Sequence, residues 1–417
     1  MIKFYIKNNL LTNLKINRIK NLYELDENKL LDKYNDAFIH LFNKTLDKSS
    51  FYYNLYNSHG ISKRDIKTID DIHKLPVINR KSILENVDNI YTGLNYFKVK
   101  GLTSGTSGSP AMVYRTPASI NLEQAYLRNY REIFGFGFKD KLLSIRGKLG
   151  KNMPYYFDRL NNTLYISGPN INNETIHFYY DIIMRFKPVA IEAFPSYLYK
   201  FFLELNKKKY SLNVNNIFTS SEMLYSFQRE KIESYFSSSV HDWYGNVERS
   251  ICLAQNNNNK YYPLPLYSIN EYKDNCIITT SLINDSFPLI RYEVDDRISV
   301  GSDDFYKNLI SPEIIQIEGR SGDTLVLRDG SVVGCIDHAF KGIDNLIMAQ
   351  IYQSISDKSI EVKLVVNQAY NHLSEMKLKQ NLTRMIGTET PTRLTICNES
   401  ELILQKNKKY QLIIKND

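Results

Sequence analysis

From about residue 170 the chain alternates helix-forming and strand-forming stretches, and this constrains the fold more than any other feature. A helix with Ile176, Tyr179, Tyr180 and Ile183 on one face precedes a short strand, Val189-Ala190-Ile191-Glu192-Ala193. A second helix starts near Pro195 and leads to the strand Asn216-Ile217-Phe218-Thr219. A third helix runs through Phe227, Ile232 and Tyr235, ahead of the strand Val240-His241-Asp242-Trp243-Tyr244. Strands separated by single helices cannot pair as hairpins. The spacing predicts βαβ units and a parallel sheet.

The flanks read differently. Before residue 90 the pattern is mostly helical, with Leu31, Tyr34, Phe38, Leu41, Phe42 and Leu46 three or four apart on one face. Thr116-Pro117 has the form of an N-cap with proline in the first turn, opening a helix that carries Leu122, Tyr126, Tyr130 and Ile133. After residue 260 successive strands are expected at 276–282, 287–292, 297–300 and 314–317, giving a mainly antiparallel region. Asp329-Gly330 then marks a hairpin turn. Strands near 348–354, 359–366, 391–397 and 401–404, with a helix near 370–386 closed by Gly387, complete a small α+β unit.

The fold expected is therefore α/β. A large N-terminal domain, residues 1–319, combines parallel α/β units with a mostly antiparallel β region and has a helical lead-in over 1–90. A small α+β C-terminal domain covers 320–417. A length of 417 residues fits more than one core.

Composition excludes several classes. With 43% apolar and 24% charged residues the chain is globular. No apolar run reaches the roughly 20 residues needed to cross a bilayer, and the start of the chain lacks the form of a signal peptide. Cys252, Cys276, Cys335 and Cys397 are scattered without CxxC spacing, which argues against a zinc site or disulfide framework and for a reducing cytoplasm. The net charge of +8 is dispersed, favouring a small anionic ligand and no nucleic acid. Nothing in the sequence specifies an oligomeric state.

Five stretches carry candidate chemistry. Gly101 to Pro110 is almost wholly Gly, Ser and Thr. Such a run lets main-chain N–H groups and the hydroxyls of Thr103, Ser104, Thr106 and Ser107 converge on an anion. It is not a Walker A loop, because Ser109-Pro110 follows Gly108. Glu248 follows a strand end, where a carboxylate can hold Mg²⁺ together with phosphate oxygens. Asp295-Asp296 closes an apolar strand and suits ribose hydroxyls, Glu318 to Asp323 has the form of a hinge with an arginine, and Lys406 to Tyr410 is a basic stretch near the end. Taken singly, each reads first as an ordinary polar turn or loop.

Taken in order, the stretches resemble the motif set of the adenylate-forming (ANL) superfamily, in its phenylacetate-CoA ligase and CapK-like branch. Asp65-Ile66-Lys67…Asp71…Lys74-Leu75-Pro76 is similar to that branch's lead-in. Thr103 to Pro110 resembles its phosphate loop, and Phe194-Pro195-Ser196 and Ser220-Ser221-Glu222 resemble segments bordering its acyl pocket. Tyr244-Gly245-Asn246-Val247-Glu248, Arg291-Tyr292 with Asp296, and Gly319-Arg320-Ser321-Gly322-Asp323 resemble three further motifs.

The resemblance implies a two-step ligase. A carboxylate attacks the α-phosphate of MgATP, and a thiol such as CoA, or an amine, then displaces AMP. It implies that Thr103, Ser104, Gly105, Thr106, Ser107 and Gly108 hold the β- and γ-phosphates and that Glu248 binds Mg²⁺. Tyr244 and Gly245 then lie beside the adenine, while Asp296 and Arg320 hold the ribose. The resemblance also implies that Lys409, the best match among the lysines of the basic stretch, is the catalytic lysine, and that Pro195, Ser196, Ser221, Glu222 and Trp243 border the acyl pocket. A small C-terminal domain that rotates between half-reactions and a role in surface polysaccharide biosynthesis are implied in the same way.

The chain departs from the family pattern at four positions. Val247 replaces a hydroxyl residue, Lys408 a glycine, Gly322 an aspartate, and Ala111 a lysine after the phosphate loop. Two alternatives stay open: an adenylyltransferase that stops at the AMP adduct, and, on the departures at Val247 and Lys408, a degenerate nucleotide-binding protein without catalysis.

Overall fold

The computed structural model describes residues 10–416 apart from 95, 97, 103–110, 148, 150–152, 303, 311–313, 321–323, 334–335, 341 and 404–409. It divides into two compact units that interleave along the chain. One comprises Met1–Asp140, Asp158–Thr163 and His241–Ile317, and the other Lys141–Phe157, Leu164–Val240 and Glu318–Asp417.

The first unit opens with helices Leu10–Leu22, Glu27–Lys48, Ser50–Ser58 and Arg80–Ile90. On Glu27–Lys48 the periodic apolar residues turn inward: Leu30, Tyr34, Phe38, Leu41 and Phe42 are buried. Burying each such side chain contributes about 1.5–3 kcal/mol, which holds this helix against the unit's own core. Thr116 caps the helix Pro117–Ile133 as expected, its side chain accepting from the Ser119 N–H with proline in the first turn. Ile133, expected on the apolar face, is instead exposed at the helix end.

The strands of this unit lie in the order Ser268–Lys273, Cys276–Ser281, Tyr292–Val300, Ile314–Arg320, Tyr261–Pro263, Cys252–Gln255, Val240–Gly245. The pairings 268–273 with 276–281, 276–281 with 292–300, and 252–255 with both of its neighbours are antiparallel. One expected strand is not there. Residues 287–291 form an irregular buried segment, and the strand begins only at Tyr292. Pro288 has no N–H for a ladder, and Arg291 sits at φ 50°, outside the strand region. The apolar run is buried because Phe287, Leu289 and Ile290 enter the core directly.

In the second unit the strands Leu142–Arg146, Ala190–Ala193 and Asn216–Ser220 pair in parallel. The alternating helices Ile176–Phe186, Pro195–Lys207 and Ser226–Phe236 bury their apolar faces in the same core as Leu143, Ile145, Ile191 and Ile217. The unit's C-terminal part forms its own sheet, in the order Thr392–Ile396, Ile360–Val366, Leu346–Ser354, Ile413–Asn416, with helix His372–Ile386. Gly387 ends that helix at φ 72°, and Asp329-Gly330 turns between Leu325–Val326 and Val332–Val333. The strand expected at 401–404 is absent among the described residues: Glu399–Glu401 is a single 3₁₀ turn, and the fourth strand lies at 413–416.

Candidate nucleotide site

The strand Val240–Gly245 pairs antiparallel with Cys252–Gln255, with Tyr244 opposite Leu253 and Gly245 opposite Cys252. The turn between them carries Glu248. Asn246 organises that turn: its Oδ1 accepts from the Ser250 N–H at 2.9 Å and its Nδ2 donates to Ser250 Oγ at 2.7 Å. Arg249 adopts the left-handed region at φ 57°, a conformation that costs energy for a side chain of its size and tends to persist at functional sites.

Glu248 is buried. Burial pushes its carboxyl above the ordinary glutamate range, against the opposing influence of Arg80 and the Tyr292 hydroxyl, while Asp296 adds to the rise. Arg80 Nη1 lies 4.0 Å away, and the Tyr292 hydroxyl donates to Oε1 at 3.4 Å. Arg80 opens the helix Arg80–Ile90, just after its cap Asn79. Arg80 lies in none of the motifs, since nothing in the local pattern ties it to a turn far along the chain; Tyr292 stands in the Arg291-Tyr292 motif, which assigns it no role at Glu248.

Asp296 reaches the same place from another strand. The pairing of Tyr292–Val300 with its neighbour jumps from Val294 to Arg297, so Asp295 and Asp296 occupy an irregularity of the ladder. Such bulges re-aim side chains. The Tyr244 hydroxyl donates to Asp296 Oδ2 at 2.7 Å. Tyr244, Glu248 and Asp296, read from two separate motifs, thus converge, with exposed Gly245 beside them. Trp243 turns to Tyr130, with ring centres 5.4 Å apart. Val247 packs against the hydrophobic core of the unit and supplies no donor.

Arg291, by contrast, braces the scaffold. Its Nε and Nη2 donate to the two Glu271 oxygens at 3.0 and 2.9 Å, and Nη1 donates to the His73 carbonyl at 3.1 Å. It fastens the lead-in just ahead of Pro76 to the strand that carries Asp296.

In the second unit, Pro195 begins the helix Pro195–Lys207, and the Ser196 N–H donates to Glu222 Oε2 at 3.1 Å. A carboxylate at a helix N-terminus is favourable. Ser221, next to Glu222, sits at φ 72°. The Ser196–Glu222 bond brings the segments Pro195-Ser196 and Ser221-Glu222 together. Thr103, Ser104, Gly105, Thr106, Ser107, Gly108 and Lys409 lie outside the described residues, as do Lys408 and Gly322. Arg320 is described only as the last residue of the strand Ile314–Arg320.

One buried carboxylate flanked by polar groups fits Mg²⁺, which is usually held by one or two carboxylates together with substrate phosphates. Among the described residues no group of three or more His, Cys, Asp or Glu converges as an all-protein cage would require.

The chain is 24% identical over 400 residues to Protein CapK of Staphylococcus aureus, covering 91% of this chain and 88% of that protein. It superposes on 2-hydroxyisobutyryl-CoA ligase in its postadenylation state, in complex with R3-HIB-AMP, with a TM-score of 0.70 and 15% identity, covering 91% of this chain and 88% of the ligase. Against the anthranilate CoA ligase AuaEII in complex with anthranoyl-AMP the TM-score is 0.53 at 12% identity, covering 74% and 65% of the two chains. No protein-family model matches the chain.

Proposed function

We propose that this chain, which is CapK-like and has the fold of the adenylate-forming superfamily, is an ATP-dependent carboxylate-activating ligase. The observation that carries the proposal is the convergence of Tyr244, Glu248 and Asp296, with the Tyr244 hydroxyl 2.7 Å from the Asp296 carboxylate. The relatives carry adenylates of organic acids, and the reading for this chain is the corresponding chemistry. A substrate carboxylate oxygen attacks the α-phosphorus of ATP and pyrophosphate leaves. A thiol, CoA included, or an amine then attacks the acyl carbonyl and AMP leaves.

In this reading Asp296 and Arg320 bind the ribose hydroxyls, and Tyr244 and Gly245 flank the adenine. Glu248 holds Mg²⁺, which when bound offsets negative charge on the phosphates. Thr103 to Gly108 bind the β- and γ-phosphates, and Lys409 orients the attacking carboxylate. Pro195, Ser196, Ser221, Glu222 and Trp243 border the acyl group. The proposal extends to a division of the chain near residue 319, with the C-terminal domain as the part that moves between half-reactions. We extend the reading to a cytoplasmic protein with a role in surface polysaccharide biosynthesis.

Incubation with MgATP, hydroxylamine and a panel of carboxylates, sugar acids and amino acids included, tests the proposal. Hydroxamate and pyrophosphate form with at least one acid if it holds. Acyl-AMP that survives added CoA but disappears with an amine identifies an amide ligase, and AMP transfer onto a stable acceptor identifies an adenylyltransferase. Val247 favours a second reading, a nucleotide-binding protein without catalysis, because its packing in the core removes a donor whose loss costs roughly 3–4 kcal/mol in comparable sites. ATP binding without pyrophosphate release from any acid would establish that reading.

A further inference from the structure

Two arginines in the first unit make fewer bonds than their burial requires. Arg115 ends the strand Met112–Arg115, which pairs antiparallel with Val99–Leu102, Arg115 opposite Val99 and Val113 opposite Gly101. Its guanidinium crosses to the neighbouring strand and lies over Gly101, where a Cβ would come within 2.2 Å of Nη2. Glycine at 101 is what leaves room for it. Arg115 Nε is buried with no hydrogen-bond partner among the described residues.

Arg249, the neighbour of Glu248, is 8% exposed and held in its left-handed conformation. Its Nη2 pairs with Glu123, while Nη1 is buried and has no partner among the described residues. Burial and then the Arg249 charge hold the Arg115 guanidinium below its ordinary value, and Glu123, Tyr267 and Glu248 oppose this. The Arg249 charge thus acts against Arg115, while Glu123 pairs with Arg249. Buried guanidinium donors left unpaired are costly, and guanidinium groups match phosphate oxygens better than any other side chain. The chain also has Ala111 directly after Pro110, so the segment joining these two strands carries no lysine at all.

We propose that Arg115 and Arg249 bind the β- and γ-phosphate oxygens of ATP, and the pyrophosphate that leaves, supplying the cationic charge that the segment between the two strands lacks. The assignment rests on the ligase reading above. Arg115 reaches the phosphates over Gly101, Arg249 reaches them through Nη1, and Glu123 keeps Arg249 in place between turnovers.

Calorimetric titration of the full chain with MgATP, AMP and inorganic pyrophosphate tests this. R115Q and R249Q each weaken ATP and pyrophosphate about ten-fold or more, the scale of a charge-assisted hydrogen bond, and change AMP affinity by less than about two-fold. G101A keeps every charge but displaces the Arg115 guanidinium, and it weakens pyrophosphate in the same sense. E123Q breaks the same ion pair as R249Q yet retains or tightens pyrophosphate binding, because it removes a negative charge. Variants that bind pyrophosphate like the wild type, or an E123Q that loses as much as R249Q, overturn the assignment and leave the ligase reading standing. A wild-type protein that binds neither ATP nor pyrophosphate overturns both.

Discussion

The Tyr244 hydroxyl donates to Asp296 Oδ2 at 2.7 Å, joining two residues 52 positions apart. Tyr244 reaches the contact from a regular pair near the end of its strand, Asp296 from a break of the ladder. The bond fixes the carboxylate that the proposed site offers to the ribose. Y244F leaves the ring in place but removes its hydrogen bond to Asp296, and we expect the KM for ATP to rise about three- to ten-fold. D296N should cost more, on the order of ten- to a hundred-fold, because it removes a charged acceptor. Steady-state kinetics at saturating carboxylate check the order of the two effects; equal KM values for wild type and D296N would detach Asp296 from the nucleotide.

Tyr52 staples the irregular segment that leads into Arg291. Its buried hydroxyl donates to the Pro288 carbonyl at 3.1 Å and accepts from the Ile290 N–H at 3.0 Å. Y52F leaves both backbone groups unpaired in the core. The expected loss is about 1–3 kcal/mol of stability, measured by urea unfolding, with little change in the slope of the transition.

Asp71 in the lead-in accepts from the Lys67 and Thr68 N–H groups and pairs with Lys74 at 2.6 Å. The Lys74 side chain first, then these backbone donors, lower its carboxyl to about 2. A depressed carboxyl contributes stability that is present above the unfolded value of 3.8 and is lost as pH falls towards 2. D71N should therefore melt below the wild type at neutral pH, and the gap should close between about pH 4 and pH 2. A gap that stays constant across that range would show that the charge of Asp71 is not what stabilises the turn.

The C-terminal part is fastened to the helix Ser226–Phe236, whose Ser226 N–H and Oγ both donate to Asp337 Oδ2 at 3.2 Å. D337N weakens two charge-assisted bonds at once. Faster hydrogen exchange at residues 226–229 and 336–340 than in the wild type is the expected result, with the 346–354 and 360–366 strands unchanged.

Where local chemistry decides a feature, the sequence displays it. Thr116-Pro117 capped its helix, Asp329-Gly330 turned its hairpin, and the helix–strand alternation after 170 became parallel strands with covering helices. Features decided by distant partners are not displayed. Phe287 to Ile290 resembles a strand because it is apolar, yet its burial comes from core contacts, and Pro288 and the left-handed Arg291 bar a ladder. The strand Ile413–Asn416 exists because it pairs in parallel with Leu346–Ser354, some sixty residues upstream in register. The site divides along the same line. The motifs named Tyr244, Glu248 and Asp296, but the bond between two of them, the approach of Arg80 to Glu248, and the burial of Arg115 and Arg249 depend on residues far away in the chain.

Carboxylate-dependent exchange of labelled pyrophosphate into ATP, run with wild-type protein and with E248Q, tests directly whether this chain activates a carboxylate. Wild-type exchange that requires both Mg²⁺ and a carboxylate is expected, with a loss of at least about a hundred-fold in E248Q. Exchange at the wild-type rate in E248Q would remove Glu248 from the reaction, and no exchange by the wild type with any acid would contradict the assignment of this chain as a carboxylate-activating ligase.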